Sequence, residues 1–397
     1  MKVLFLSESQ GWSGGAKQLL RLAEGLGPLG WQVTIACPGD GETFKRAREM
    51  GLDAIDLHPR EDYDVVSAVK LSRLIETRGI DILHAHHPRA HAVGLVAAYL
   101  CRRPVAFVVT RRVSFRPMRN PFSLFKYRSR RIDGFIAVAE SIRQGLIGTG
   151  VDADRVTTIP SAVDLDTFQP RARDEKLAAA LGLARGAALV GKIANYGSWK
   201  GQDVALAAAA QLKREGRKVV FLFAGRDTDG ETIRAKAKSL GLGDGEVRLL
   251  GFRDDVPALL SLLDVSLNAA VEGEGLSGAL RESLAMGVPV AASDAGGNRE
   301  LVEDGVTGRV FPAGDASALA RVVAGMLDDR EGAKRMAQEG RRRVTLRYGA
   351  ERLATSTARF YAEVLARRGR LARKGSSAAQ AASTEMSRQD SQELETT

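Results

Sequence analysis

Cysteine is scarce in this chain: Cys37 and Cys101 are the only two among 397 residues. Both sit in apolar surroundings, which argues against a disulfide framework and leaves buried free thiols as the expectation. Long hydrophobic runs are missing too. No stretch reaches the ~18 uninterrupted apolar residues that cross a bilayer, and Met1-Lys-Val-Leu-Phe-Leu-Ser-Glu8 turns polar too early for a secretory signal. A cytoplasmic protein is expected. Acid is short relative to base, with 48 Asp and Glu against 58 Lys and Arg, and the net charge of +10 points to an anionic partner. Charge alone does not separate nucleotide, phospholipid headgroup and nucleic acid. The first strand-to-helix turn carries no G-x-G-x-x-G, and no repeat at a solenoid period is present.

What is present is alternation. Strand-like apolar runs at Val3–Ser7, Gln32–Cys37, Ile80–His84, Val105–Thr110, Gly134–Ala139 and Val156–Ile159 alternate with helical patterns. The pattern restarts at Ala188–Ala194, Val219–Ala224, Val247–Leu250, Val265–Asn268, Pro289–Ser293 and Gly308–Phe311. Such alternation predicts parallel sheets covered by helices, in two Rossmann-like halves. The length agrees, being too great for one ordinary core. The proline-bounded segment Pro160–Pro170 reads as the linker. Residues 1–165 are expected to form the first domain and 166–347 the second. Tyr348–Arg368 has an apolar stripe through Leu353, Phe360, Val364 and Leu365, so a terminal helix is expected over 348–370. The tail 371–397, without aromatic, valine or isoleucine residues, is expected to be disordered.

The most informative stretch is Glu274-Gly-Leu-Ser-Gly-Ala-Leu-Arg-Glu282, two carboxylates eight residues apart around a glycine-bearing helix start. Gly275, Leu276, Ser277 and Gly278 can offer main-chain N–H groups where the helix dipole favours a diphosphate. Glu274 can accept from sugar hydroxyls, and Glu282, about two turns on, can take a vicinal diol such as ribose. The plain alternative is a capped amphipathic helix with two solvated glutamates. With Gly287-Val-Pro289 following, the stretch resembles the E-x7-E motif of retaining glycosyltransferases of the GT-B fold, family 4. Pro160-Ser-Ala-Val-Asp164 through Phe168 likewise resembles that family's interdomain linker, with Ser161-Ala162 in place of Asn-Gly.

The resemblance spans roughly residues 1–368 and implies an α/β, GT-B fold: two Rossmann-like domains facing across a cleft, with the C-terminal helix crossing back to the first. Gly14 and Gly15, after the first strand, resemble the glycine pair that lines this cleft; a strand-to-helix turn would use glycine in any case. Lys200-Gly201 resembles the family's R-x4-K-G element, whose cations hold the donor diphosphate. Asn195 occupies the arginine position, leaving Lys192 or Arg226 as candidates to supply the missing charge. Phe252 lies in a loop resembling the one that holds the nucleotide base through main-chain groups.

Four of the five histidines fall in His84-Ala-His86-His87-Pro-Arg-Ala-His91. A metal site is the alternative, but no carboxylate or thiolate accompanies them at ligand spacing. They match the family's H-x-H, which implies that His86 lies beside the reacting sugar; His84 reads as structural, and His87 and His91 as facing acceptor or solvent. Thr110–Arg131 contains eight Lys and Arg and no acid, with Phe115, Phe122, Phe125 and Tyr127. Contact with an anionic membrane or lipid-linked acceptor is expected there, against single-stranded nucleic acid or a solvated surface.

The reaction implied is transfer of a sugar from a nucleoside diphosphate sugar to a hydroxyl of a glycan or lipid-linked acceptor, in cell-surface polysaccharide or lipopolysaccharide assembly. The family's front-face displacement retains the anomeric configuration and needs neither metal nor cofactor. His86, Glu274 and Lys200 are the catalytic candidates. Gly14, Gly15, Lys192, Asn195, Arg226, Phe252, Gly275, Leu276, Ser277, Gly278 and Glu282 are the donor-binding candidates. The rivals are a GT-B epimerase or phosphorylase, and a sugar- or lipid-binding protein of the same fold without turnover.

Overall fold

The computed structural model describes residues 1–112, 121–183 and 186–369. The first domain is a seven-stranded sheet: β1 (Lys2–Leu6), β2 (Gln32–Cys37), β3 (Asp53–Asp56), β4 (Ile82–Ala85), β5 (Ala106–Arg111), β6 (Gly134–Ala137) and β7 (Val156–Thr158). Its order is β3-β2-β1-β4-β5-β6-β7, and every pairing is parallel. The second domain repeats the plan with β8 (Ala188–Ile193), β9 (Val219–Ala224), β10 (Val247–Leu249), β11 (Val265–Asn268), β12 (Val290–Ser293) and β13 (Arg309–Phe311). Its order is β10-β9-β8-β11-β12-β13, again parallel throughout.

Period-two alternation divides each strand between two apolar layers. In β1, Val3 and Phe5 pack on the side of the helix Gly14–Leu26, while Leu4 and Leu6 pack on the other with Leu83 and Phe107. Both sheets reverse their strand order once, between β1 and β4 and between β8 and β11. Ligands in open α/β sheets collect beyond the carboxyl ends of strands at such switch points, and here the two face one cleft.

Strand β3 has no counterpart among the sequence expectations. It is an edge strand in which only Ala54 is buried, and its aspartates are used for pairing: Asp53 accepts from Thr34 Oγ1 at 2.7 Å, and Asp56 accepts from the main chain of Gly39 at 2.7 Å. The last described helix covers residues 350–369, after a bend at Tyr348. It returns to the first sheet, burying Phe360, Tyr361 and Val364 against β1, β4 and β6. Tyr361 Oη lies 2.5 Å from His84 Nδ1 on β4, and Arg368 holds Asp133 at 2.9 and 3.0 Å. At Gly134 a Cβ would lie 2.6 Å from the Phe360 ring, so glycine is what lets helix and strand approach. The tail 371–397 and the centre of the basic segment, 113–120, lie outside the described residues.

Candidate active site

A cleft of ≈ 1540 Å³ runs between the domains, lined by Gly14, Gly15, His86, Arg112, Asn195, Lys200, Arg226, Phe252, Glu274, Leu276, Gly278 and Glu282 among others. The donor-side loop is fixed from below. Ser277 caps the helix Gly278–Ala285, accepting from the main chain of Leu280 at 3.4 Å, and itself accepts from Asn268 Nδ2 at 2.8 Å. Asn298 and Ser293 extend this buried network, Asn298 Nδ2 donating to the Ser293 carbonyl at 3.1 Å and Ser293 Oγ to that of Ala270 at 2.6 Å. Held in this way, the N–H groups of Gly275, Leu276, Ser277 and Gly278 have no acceptor recorded among the described residues. They form a ready anion site.

Glu274 is buried just before that helix, and its carboxylate accepts from Lys200 Nζ at 3.0 Å. Lys200 Nζ also lies 3.7 Å from the Trp199 ring centroid, which orients the ammonium. Lys192, on β8, is fully buried and does not itself line the cleft, but its ammonium feels the charges of Lys200 and Glu274. Burial, and then the neighbouring charge of Lys200, pull its ammonium down to about 7, with Glu274 opposing. Glu282 sits on the cleft face of its helix; burial raises its pKa, while Lys17, Arg281 and Arg21 hold it down.

Asn195 does a different job from the cation expected there. Its Oδ1 accepts from the main chain of Arg226 at 3.0 Å, and its carbonyl accepts from Gln202 at 2.9 Å, so it ties two loops together. Arg226 reaches across the cleft, its guanidinium donating to the Trp12 carbonyl of the first domain. Of the two candidates to replace the arginine, Lys192 lies beside Lys200 and Glu274, and Arg226 bridges the domains. Phe252 is 52% exposed on the second-domain wall. Gly14 and Gly15 are the first residues of the helix Gly14–Leu26 and line the cleft.

The histidines divide. His84 is structural, saturated by Tyr361 and by Thr110 Oγ1 at 2.6 Å, and burial drives its pKa well down. His86 lines the cleft. His87 contacts Ser7 Oγ at 3.0 Å; burial, then Arg112 and Arg111, push it down to about 4. His91 faces neither acceptor nor solvent. It is buried among Tyr127, Phe107 and Phe135, its Nε2 donating to the Lys126 carbonyl at 3.1 Å, because the helix Pro88–Leu100 turns that face inward. Among the described residues no three His, Cys, Asp or Glu side chains gather as a metal site.

Two models of known families account for most of the chain: Glycosyltransferase Family 4 over residues 12–167, and Glycosyl transferases group 1 over 174–343. This chain belongs to the group 1 glycosyltransferases of GT-B fold. It is 28% identical over 289 residues to the lipopolysaccharide core biosynthesis mannosyltransferase LpcC of Rhizobium leguminosarum bv. viciae, covering 72% of this chain and 78% of that one. It is 26% identical over 327 residues to the phosphatidyl-myo-inositol mannosyltransferase of Mycolicibacterium smegmatis, covering 80% and 81%. In fold it is similar to Anabaena Alr3699/HepE, solved in complex with UDP-glucose, with a TM-score of 0.79 at 23% identity over 91% of this chain and all of that one.

Two cleft residues of this glycosyltransferase escaped the sequence reading. Arg281, buried inside the nine-residue motif, donates to the carbonyls of Ala162 at 2.8 Å and Ser277 at 3.3 Å, joining linker to donor loop. Arg112 belongs to the basic run read as surface. Of the described cations in that run, Arg111 and Lys126 are buried, and Arg131 donates to the carbonyls of Ala98 and Val105 at 3.0 and 2.9 Å. Arg112 points into the cleft, whereas Arg130 and the 56% exposed Phe125 face outward, and Arg128 is exposed while its Nε donates to the Thr149 carbonyl at 2.6 Å. The signal available was position: Arg111 and Arg112 end a central strand, where side chains enter the switch-point crevice.

Proposed function

We propose that this glycosyltransferase moves a sugar from a nucleoside diphosphate sugar to a hydroxyl of a glycan or lipid-linked acceptor, with retention of anomeric configuration and without metal or cofactor. The observation that carries the reading is the Glu274–Lys200 pair, set beside four N–H groups at the start of the helix Gly278–Ala285 that meet no acceptor among the described residues. In this reading the diphosphate lies on those amides, with Lys200 and Lys192 as its counter-charges. Glu274 accepts from hydroxyls of the transferred sugar, Glu282 from the ribose, and Phe252 flanks the base. Departure of the diphosphate builds negative charge where the cations already stand, so the site favours the transition state over the bound substrate.

The relatives in lipopolysaccharide core and phosphatidylinositol glycosylation support an acceptor of the cell envelope, and the HepE complex supports a uridine nucleotide. We also propose a peripheral contact with anionic membrane through Phe125, Arg128 and Arg130. The test of the transferase reading is release of free nucleoside diphosphate from UDP-, GDP- and ADP-sugars in excess EDTA, with and without candidate acceptors. The product's anomeric configuration is read by NMR. Acceptor-dependent release with retention supports the proposal; acceptor-independent turnover, or dependence on added Mg²⁺, overturns it.

A further inference from the structure

Arg112 is a guanidinium with no carboxylate partner among the described residues. Among the described residues its partners are His86 Nδ1 at 3.1 Å from Nη2 and Ser161 Oγ at 3.4 Å from Nη1, and its buried Nε meets no acceptor there. Burial, and then the charge of Arg281, lower its pKa to about 10, so it remains a cation at neutral pH. A guanidinium only donates. The lone pair of His86 Nδ1 is therefore occupied, and a neutral His86 carries its proton on Nε2.

His86 is held neutral from all sides. It is 2% exposed; the His84 ring centroid lies at 4.0 Å and that of Phe5 at 4.6 Å, while Arg112 and His87 also oppose a further positive charge. Its Nε2 is buried and finds no partner among the described residues, yet the residue lines the cleft. A buried donor left unpaired is costly, and an incoming oxygen would relieve that cost.

We propose that Arg112 is a positioning residue that locks His86 as the Nε2–H tautomer, so that His86 donates a hydrogen bond to a sugar oxygen in the cleft and does not take the acceptor's proton. The proposal rests on the glycosyltransferase reading for its substrate, while the tautomer stands on geometry alone. The lock is also tied to the donor loop. A Cβ at Gly275 would lie 2.0 Å from the Arg112 carbonyl oxygen, so Gly275 is the residue that lets the loop close onto Arg112.

The test labels histidine with ¹⁵N in the full-length protein and reads two-bond ¹H–¹⁵N correlations from pH 6 to 8. With five histidines in the chain, His86→Gln identifies the resonance. Wild type and Arg112→Lys should show His86 as Nε2–H alone throughout. Arg112→Met should show mixed Nδ1–H and Nε2–H tautomers, with the ring still neutral because burial and His84 remain. An Nδ1–H or imidazolium His86 in the wild type overturns the lock, with or without turnover. In the sugar-transfer assay, His86→Gln places an amide donor near the Nε2 position, whereas His86→Asn places one near Nδ1. The glutamine variant should keep kcat within about 10-fold of wild type, and the asparagine and alanine variants should fall about 100-fold or more, the scale of losing one preorganised hydrogen-bond donor. Equal loss in all three overturns the donor role. Absence of transfer from any donor sugar would sink the transferase reading and leave the tautomer measurement decisive for the lock.

Discussion

Lys192 is a cation that the fold keeps at a cost. Its pKa falls from 10.5 to about 7, so between those values the unfolded chain binds a proton that the native protein does not. Stability therefore rises with pH through that window, and below about pH 7 the whole penalty, on the order of 3–5 kcal/mol, is present. Lys192→Met should accordingly raise the urea midpoint at pH 6 and lose that advantage as pH approaches 10. The same variant should weaken nucleotide-sugar binding at least 10-fold, because the charge opposing the diphosphate is gone. Unchanged or lower stability at pH 6 would contradict the buried cation, and unchanged affinity would remove it from the donor site. The two glutamates should part company as well. Glu282→Ala should raise the donor Kd about 10-fold, and Glu274→Ala should chiefly lower kcat, since only its partner is the sugar being transferred. Titration calorimetry beside steady-state kinetics separates these effects, and a Glu282→Ala enzyme within twofold of wild type in both would refute the assignment.

One element is capped by the opposite domain. The helix Glu140–Gly148 of the first domain has no side-chain cap of its own, and its first two N–H groups donate to the Glu300 carboxylate of the second domain at 2.7 and 3.0 Å. Glu300→Ala should leave those donors to water and loosen the seat between domains by about 1 kcal/mol, the usual worth of a cap. Small-angle scattering should show a larger radius of gyration for the free protein, with KM raised and kcat little changed. A scattering curve identical to wild type would mean that the cap does not hold the domains. Elements of this kind also mark what the sequence can disclose. The central strands were legible because Val, Ile, Leu and Phe run through them on both faces, and Glu274 and Glu282 because their spacing is local. Strand β3 was not, since Asp53 and Asp56 are charged and only Ala54 is buried. Arg112 and Glu300 were hidden for another reason: each acts on a partner brought near only by the folded topology. Asn195 was legible as a departure from the resembled arginine, but its use, which is to serve a main-chain N–H, was not.

Across the whole molecule, most of the described part of the basic run turns inward, and the outward part narrows to Phe125, Arg128 and Arg130. Co-sedimentation with anionic vesicles should be weakened by salt and by Arg130→Glu with Phe125→Ser. Binding to neutral vesicles alone, or to none, would remove the membrane contact without touching the transferase reading. The returning helix over 350–369 sets a limit of another kind. Because Phe360, Tyr361 and Val364 complete the first sheet's core, the first domain is discontinuous in the gene although continuous in space. Anyone recombining this enzyme with a relative to exchange acceptor preference should move residues 1–165 and 350–369 as one unit. A chimaera joined only at the linker would set a foreign helix against His84 and Gly134, which here meet Tyr361 and Phe360. It should express insolubly, or melt several degrees below the version that carries its own returning helix.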